Sequence, residues 1–307
     1  MRICTFSAAG ASHLGLVVGD HVVEVVPAQA ARGLTPVPDD LLSVIEMGRD
    51  TWDDLERLNE SLMDGGWPSD ASWVRECSEV RFEVPFLPPK NPWTVGSNYL
   101  RHLEIAFARI PREVVIPKAP EFFTKALTAV CGDGADIVYD KRATVTVDYE
   151  NELMIVIGVG GKNIPKEKAM EHIFGFSVAN DVSAREIQMH HGQFFRGKSQ
   201  TGFCPFGPVV ATQVDVPDPN AEQLRTWVNG ELRQDWPVGD MIFKVDEIVS
   251  WLSQGMTIEP GDVIICGTAP GVGFEFLPQK WLQHGDVVEC EISGIGRIRN
   301  TIKMAGI

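Results

Sequence analysis

The sequence predicts an α+β chain that is mainly β, with a small N-terminal α+β domain at residues 1–88 and a larger domain at residues 89–307. Three observations support this division. Short apolar runs separated by turn residues fill residues 1–27, and apolar side chains recur at helical spacing over residues 39–63. The segment EVPFLPPKNPW then carries four prolines, and the chain beyond it is rich in glycine and β-branched residues.

The individual elements follow from the same patterns. The first 27 residues predict three strands, RICTFS, LGLVVG and HVVEVV, and residues 39–63 predict two helices that break near Gly48. In the larger domain, helical spacing is confined to Tyr99–Ala108, Lys166–Ile173 and Val245–Gln254. The remainder of that domain is therefore expected to be mostly β.

Composition excludes several classes of function. The 307 residues carry a formal net charge of −15, which repels phosphate backbones and argues against nucleic acid as a partner. Six cysteines lie far apart without CxxC spacing, as expected for thiols in a reducing compartment. We find neither a signal core nor an apolar run of the ~18 residues that a membrane span requires, so the cytoplasm is the expected location.

The stretch VDYENELMIVIG concentrates carboxylates beside a buried strand. Successive side chains of a strand alternate between its faces, so Asp148, Glu150 and Glu152 are expected on one face. Neighbouring carboxylates ionise together only near a counter-charge, and Asp181, which follows another apolar run, could complete a site for a hard divalent cation. An all-carboxylate set suits Mg²⁺ or Mn²⁺ better than Zn²⁺. The spacing alone also fits a solvated edge strand.

The stretch GQFFRGKS matches a phosphate-binding loop in letters only. A buried strand must lead into such a loop and a helix must follow it, whereas IQMHH precedes this one and QTGFCPFGP follows it. We therefore reject nucleotide binding here. Lys198 remains a candidate for stabilising an oxyanion, because it lies among apolar and glycine neighbours close to the acidic residues.

Two further segments leave alternatives open. EPGDVIICGTAPGVG could present backbone N–H groups and the Thr268 hydroxyl to a carboxylate, or it could be a tight turn between strands. His102, in a short predicted helix, could be a catalytic base or a structural histidine. His190 and His191 lack ligand spacing and are interpreted as loop residues.

Taken in order, these segments resemble the fumarylacetoacetate hydrolase family. The matching stretches run from about Val95 to Asn300 and are VGSNYLRH, PEFFTK, VDYENEL, GFSVANDVSAREIQ, FRGKS, FGPVV, EIVSWLS, EPGDVIICGT and GDVVECEISGIGRIRN. The resemblance implies a catalytic domain of mixed β-roll or β-sandwich form, usually in a homodimer. It also favours metal binding over the solvated edge strand.

The resemblance also assigns roles by position. The cation, Mg²⁺ or Mn²⁺ and in some relatives Ca²⁺, would be held by Glu150, Glu152 and Asp181. Substrate-binding roles fall on five matched residues, which are Tyr99, Lys125, Arg185, Gln188 and Thr268. Catalytic roles fall on Lys198, on the lid histidine His102 and on Glu104. Arg185 and Gln188 follow Asp181 by four and seven residues, so the three are expected to share a helical face.

The lid departs from the family pattern at one position. Many relatives carry a glutamate three residues after the lid histidine, and that pair activates water. Here that position is Ile105, and Glu104 lies two residues after His102. Either Glu104 still reaches His102 through an irregular lid, or another group orients the base.

The expected function is metal-dependent hydrolysis of a C–C bond in a small anionic acylpyruvate or diketo acid. The first alternative is decarboxylation, isomerisation or tautomerisation of a related 2-oxo acid by the same enolate chemistry, and the displaced glutamate favours it. The second alternative is a metal-binding relative without activity.

Overall fold

The structure is a computed structural model that describes residues 1–8, 10–108 and 115–306. It is mainly β, which confirms the predicted α+β class. The strands of the described residues are β1 (Arg2–Ala8), β2 (Ala11–Val18), β3 (His21–Glu24), β4 (Val74–Glu76), β5 (Arg81–Phe82), β6 (Trp93–Gly96), β7 (Glu121–Thr124), β8 (Val130–Cys131), β9 (Asp136–Tyr139), β10 (Val147–Asp148), β11 (Asn151–Ile157), β12 (Gly161–Lys162), β13 (Ile173–Asn180), β14 (Ser183–Ala184), β15 (Cys204–Thr212), β16 (Gln223–Val228), β17 (Glu231–Pro237), β18 (Thr257–Ile258), β19 (Val263–Ile265), β20 (Val287–Ile292) and β21 (Gly296–Met304). The α-helices are α1 (Val25–Ala31), α2 (Leu41–Met47), α3 (Arg49–Leu62), α4 (Leu100–Phe107), α5 (Arg185–His191), α6 (Phe194–Lys198) and α7 (Val245–Ser253).

One large mixed sheet organises the molecule. Its main path runs β4-β3-β2-β1-β15-β13-β11-β19-β6-β7, and a second sheet runs β17-β16-β20-β21-β9. Strand β1 pairs antiparallel with β15, with Ile3 opposite Val210. The N-terminal strands therefore extend the sheet of the larger segment, and the division at 88/89 stays a prediction.

Strand β11 lies between two hydrophobic clusters. Leu153, Ile155 and Ile157 belong to the larger cluster, which includes residues of the second sheet. Met154 and Val156 face the other way, into a cluster that includes residues of α2 and α3. This alternation explains why the run LMIVI is apolar at every position, because both faces of the strand are covered.

Most predicted elements are present, with local differences. The helices α2 and α3 separate at Gly48, whose φ of 85° suits glycine, as predicted. The stretch HVVEVV is strand only as far as Glu24, because α1 begins at Val25. Lys166–His172 forms a 3₁₀ helix, and the helix predicted from Val245 is α7.

No helix in the described ranges is both long and apolar enough to span a bilayer.

Candidate metal centre and active-site cleft

Three carboxylates meet where two paired strands end. Strand β11 pairs antiparallel with β13, so that Asn151 lies opposite Asn180. The backbone N–H of Asp181 donates to the carbonyl oxygen of Glu150 over 2.8 Å, which holds the two chain segments together just beyond the strands. One carboxylate oxygen from each of Glu150, Glu152 and Asp181 lies within 4.8 Å of the others, and all three side chains are buried.

Buried cations surround this acidic triad. Lys198 Nζ lies 2.5 Å from Glu150 Oε2 and 2.6 Å from Asp181 Oδ2. Arg185 pairs with Glu150 Oε1 over 2.6 Å, and Lys125 Nζ donates to Asp181 Oδ1. Within the described residues Glu152 has no ion-pair partner, and its Oε2 accepts from the backbone N–H of Gly267 over 2.5 Å. The counter-charge is therefore shared unevenly.

This asymmetry separates the pKa values of two neighbouring carboxyls. Burial acts to raise the pKa of Glu150, but Arg185 and Lys198 outweigh it and hold that pKa well below its ordinary value. Burial, together with the charges of Asp181 and Glu150, raises the pKa of Glu152 well above its ordinary value. Glu152 therefore lacks a counter-charge that a further cation could supply.

The residues present fit a divalent cation. The donor set is entirely carboxylate oxygen, the ligand type that Mg²⁺, Mn²⁺ and Ca²⁺ prefer, and no histidine or cysteine joins the triad among the described residues. Glu150, Glu152 and Asp181 would hold the ion.

Asp148 does not belong to this triad, contrary to the expectation that three acids share one face. The strand predicted to be continuous breaks between β10 and β11, at residues 149 and 150. The fully buried Asp148 instead accepts from Arg185 Nε over 2.8 Å and from the backbone N–H groups of Gly273 and Phe274 over 2.7 and 3.0 Å. It thereby anchors the loop at residues 271–276 to the arginine that contacts Glu150.

We expect Asp148→Ala to lower the free energy of unfolding by about 3–5 kcal/mol, because it leaves the Arg185 guanidinium buried with one partner fewer and releases two backbone donors. Urea denaturation measures this change. Asp140→Ala, which breaks the exposed pair with Arg142, is the matched control and should change stability far less. An Asp148→Ala protein within about 1 kcal/mol of the wild type would contradict the anchoring role.

The predicted lid helix is regular, and its histidine is paired from outside the helix. His102 Nδ1 lies 2.6 Å from Glu275 Oε1, in the loop at 271–276. Glu104 points elsewhere and accepts from Arg101 over 2.9 Å at the surface. Glu104 thus does not pair with His102. The structure agrees with the alternative that another group, here Glu275, orients the histidine.

A cleft of about 270 Å³ brings most of the predicted residues together. Its polar lining includes His102, Glu150, Glu152, Asp181, Arg185, Gln188, Lys198 and Thr268, and its apolar lining includes Leu103, Ala106, Phe123, Met189, Phe194 and Phe274. Tyr99 and Lys125, both predicted to bind substrate, are not in this lining. Tyr99 donates to the Val238 carbonyl over 3.4 Å, and Lys125 is fully buried behind Asp181.

The prediction that Asp181, Arg185 and Gln188 share one face of a helix is only partly correct. Asp181 follows β13 and precedes the short strand β14, whereas α5 begins at Arg185. Arg185 and Gln188 do share α5, and Arg185 Nη1 donates to Gln188 Oε1 over 3.3 Å. His190 and His191 lie in the last turn of α5 and not in a loop.

Two glycine-rich segments border the cleft, to which they contribute Lys198 and Thr268. The stretch GQFFRGKS follows α5 and contains α6, without a buried strand leading into it, which agrees with rejecting the phosphate loop. Thr268 lies at the cleft, where its hydroxyl donates to the Asn151 carbonyl over 3.0 Å and accepts from Gln234 Nε2 over 3.0 Å. Gln234 and Glu275 were missed by sequence reasoning. The sequence feature that could have identified Glu275 is its position, seven residues beyond Thr268 in the same loop region.

The residues that build this cleft lie within the sequence pattern of a known enzyme family. A sequence model of the fumarylacetoacetate (FAA) hydrolase C-terminal region matches residues 91–303. The chain belongs to the fumarylacetoacetate hydrolase family, as its motifs predict.

Relatives with different activities are similar over the whole chain. An oxaloacetate tautomerase, YisK of Bacillus subtilis (strain 168), is 36% identical over 309 residues, which cover 98% of this chain and 100% of that protein. The structure of a fumarylacetoacetate hydrolase from psychrophilic Exiguobacterium antarcticum has a TM-score of 0.80 at 37% identity, over 99% of both chains. A 2-hydroxyhepta-2,4-diene-1,7-dioate isomerase from Mycobacterium marinum has a TM-score of 0.73 at 28% identity, over 100% of both chains.

Proposed function

We propose that this protein interconverts the keto and enol forms of a small 2-oxo dicarboxylic acid of the oxaloacetate type, with Mg²⁺ or Mn²⁺ bound at the acidic triad. The observation that carries the proposal is the cleft itself, in which the His102 imidazole shares a small space with the triad and Lys198. The whole-length similarity to an oxaloacetate tautomerase supports the same reaction class.

The chain's own side chains suit this proton transfer. His102 would remove a proton from C3 of the keto form, and return of that proton to the oxygen at C2 would give the enol and regenerate the base. Lys198, Arg185 and Thr268 line the space where the negative oxygens of such a substrate would lie. A divalent cation at the triad would supply further positive charge to stabilise the enolate.

Hydrolysis of a C–C bond in an acylpyruvate is the second candidate. It is favoured by the His102–Glu275 pair, because a histidine held by a carboxylate can also activate water. The similarity to a fumarylacetoacetate hydrolase agrees with it. Both reactions need the same cation and the same histidine, so the products distinguish them.

The test is a substrate panel with Mg²⁺ and Mn²⁺, each with and without a chelator. We expect the purified protein to speed the approach of enol-oxaloacetate to its keto form, followed by ultraviolet absorbance. Release of pyruvate and a carboxylic acid from acylpyruvates would support hydrolysis instead, and CO₂ release from oxaloacetate would support decarboxylation. Activity on none of these compounds would contradict the proposal.

His102→Gln is expected to lower kcat by about 10²–10⁴-fold, because a general base typically contributes that factor. Steady-state kinetics at saturating Mg²⁺ measure the change. The control is His284→Gln, since His284 lies outside the cleft and accepts from the backbone N–H of Met304. A His102→Gln enzyme with kcat within a few-fold of the wild type would rule out the base.

A further inference from the structure

Three short helices each place one polar and one apolar side chain in the cleft, four residues apart. The pairs are Lys198 and Phe194 on α6, Arg185 and Met189 on α5, and His102 and Ala106 on α4. Lys198 and Arg185 both contact Glu150 of the triad. Because four residues of an α-helix rise about 6 Å, the apolar member of each pair lies about one turn farther along its helix. The cleft thus has a polar end at the triad and an apolar end beyond it.

We call Ala106, Phe123, Met189 and Phe194 the apolar rim of the cleft. The Phe123 and Phe194 rings meet edge to face, with centroids 5.1 Å apart and planes at 86°. A further aromatic ring packs favourably against such a pair. The side chain of Met189 is 66% exposed at the rim, and a flexible thioether makes favourable contacts with ring edges. The rim therefore offers uncovered apolar surface that suits an aromatic group.

The apolar rim offers no positive charge to a second carboxylate. Among the described lining residues, the basic side chains are those of the polar end, His102, Arg185 and Lys198. An acid lies beside the rim instead, because Glu121 Oε2 accepts from Ser97 Oγ over 3.0 Å. A Cβ atom added at Gly96 would lie 3.1 Å from Phe194 Cε2 and 3.6 Å from Glu121 Oε2, so the ring and the acid adjoin the same glycine. A carboxylate at the rim would meet a negative charge, whereas an uncharged ring would not.

We propose that the apolar rim binds an uncharged aromatic substituent, so that the site also enolises 2-oxo monocarboxylic acids with an aryl group on C3. This activity rests on the proposed function, because the polar end would hold the oxo acid in the same way. The reaction balances within the substrate: the C3–H bond breaks, an O–H bond forms at C2, and no atom is gained or lost. Oxaloacetate carries its second carboxylate directly on C3 and leaves the rim uncovered, whereas an aryl group extends onto it.

Phenylpyruvate is the probe, and pyruvate, which lacks the ring, is its reference. Isothermal titration calorimetry in Mg²⁺ should give a Kd for phenylpyruvate about tenfold or more below that for pyruvate, because binding removes the apolar ring from water. Proton NMR in D₂O should show that the protein also speeds the exchange of the C3 hydrogens of phenylpyruvate for deuterium. This exchange reports enolisation directly.

Met189→Glu is the decisive variant, and its exposed position keeps the substitution out of the core. Phenylpyruvate and pyruvate are both monoanions, so the added charge affects their carboxylates alike and the ratio of their Kd values reports on the ring alone. The preference for phenylpyruvate should fall to about threefold or less, because the ring would desolvate the new carboxylate. Met47→Glu is the matched control, since Met47 is 60% exposed on α2, and it should keep the preference of the wild type.

The outcomes separate the aryl activity from the proposed function. Phenylpyruvate that binds no more tightly than pyruvate, or an equal preference in Met189→Glu and Met47→Glu, would overturn the apolar rim as a binding site. Turnover of oxaloacetate with phenylpyruvate bound but not exchanged would overturn the aryl activity alone. A wild-type protein that prefers phenylpyruvate in binding, yet acts on neither oxo acid nor on acylpyruvates, would contradict the proposed function and leave the binding site standing.

Discussion

Glu152→Gln is expected to abolish activity while making the cation-free protein more stable at neutral pH. Glutamine keeps the size of the side chain and can still accept from the Gly267 N–H, but it cannot supply a negative ligand. Loss of one carboxylate from the triad should remove several kcal/mol of charge stabilisation, a fall of about 10³-fold or more in kcat/KM.

The direction of the stability change follows from the pKa of Glu152. Burial and the charges of Asp181 and Glu150 raise that pKa in the folded protein, so the folded state binds the proton more tightly than the unfolded state does. The wild type therefore loses stability as the pH rises above 4.5, the ordinary value for this carboxyl, until the folded pKa is passed. Glutamine has no such proton to lose, so the greater stability of Glu152→Gln relative to the wild type should shrink as the pH falls toward 4.5.

Thermal unfolding with EDTA and with Mn²⁺ measures both effects. Mn²⁺ at about 100 times its Kd should stabilise the wild type by about 2.7 kcal/mol and leave Glu152→Gln unchanged. Glu46→Gln, at an exposed position of α2, is the control and should respond to Mn²⁺ like the wild type. An equal Mn²⁺ response in Glu152→Gln would show that this carboxylate is not a ligand.

Lys198→Met should damage both folding and catalysis. Lys198 is 2% exposed and lies between Glu150 and Asp181, which outweigh the effect of burial and raise its pKa. Removing one partner of a buried ion pair costs about 3–5 kcal/mol, because the remaining charges lose their compensation. Loss of a buried donor to a developing oxyanion lowers kcat by about 10²–10³-fold.

Urea denaturation of Lys198→Met should show the full loss of stability in EDTA and a smaller loss in Mn²⁺, since the metal restores positive charge between the two carboxylates. Lys168→Met, at an exposed position, controls for the change in side-chain chemistry. Stability equal to the wild type in EDTA would mean that Lys198 does not balance the triad.

The part of the site that sequence could predict is the part that lies next to strand ends. Glu150 and Asp181 adjoin buried apolar strands and Glu152 lies at the start of one, and antiparallel pairing brings such positions together. The prediction that Asp148 shares a face with Glu150 and Glu152 is wrong, because side chains alternate between faces only within an unbroken strand. The break at residues 149 and 150 leaves no signal in the pattern of charges.

Long-range contacts account for what was missed. Glu275 reaches His102 across 173 residues, a separation at which periodicity carries no information. The resemblance predicts Lys125 at the substrate, yet Lys125 contacts Asp181 across 56 residues of sequence, a contact that only the fold shows. The homodimer, the cytoplasmic location and the division at 88/89 stay predictions.

The most direct test of the central claim is anomalous diffraction from a crystal grown with Mn²⁺. A single Mn²⁺ peak per chain, coordinated by one oxygen from each of Glu150, Glu152 and Asp181 and lost in Glu152→Gln, is the predicted result. A wild-type crystal with Mn²⁺ bound elsewhere, and with Lys198 still bridging Glu150 and Asp181, would contradict it.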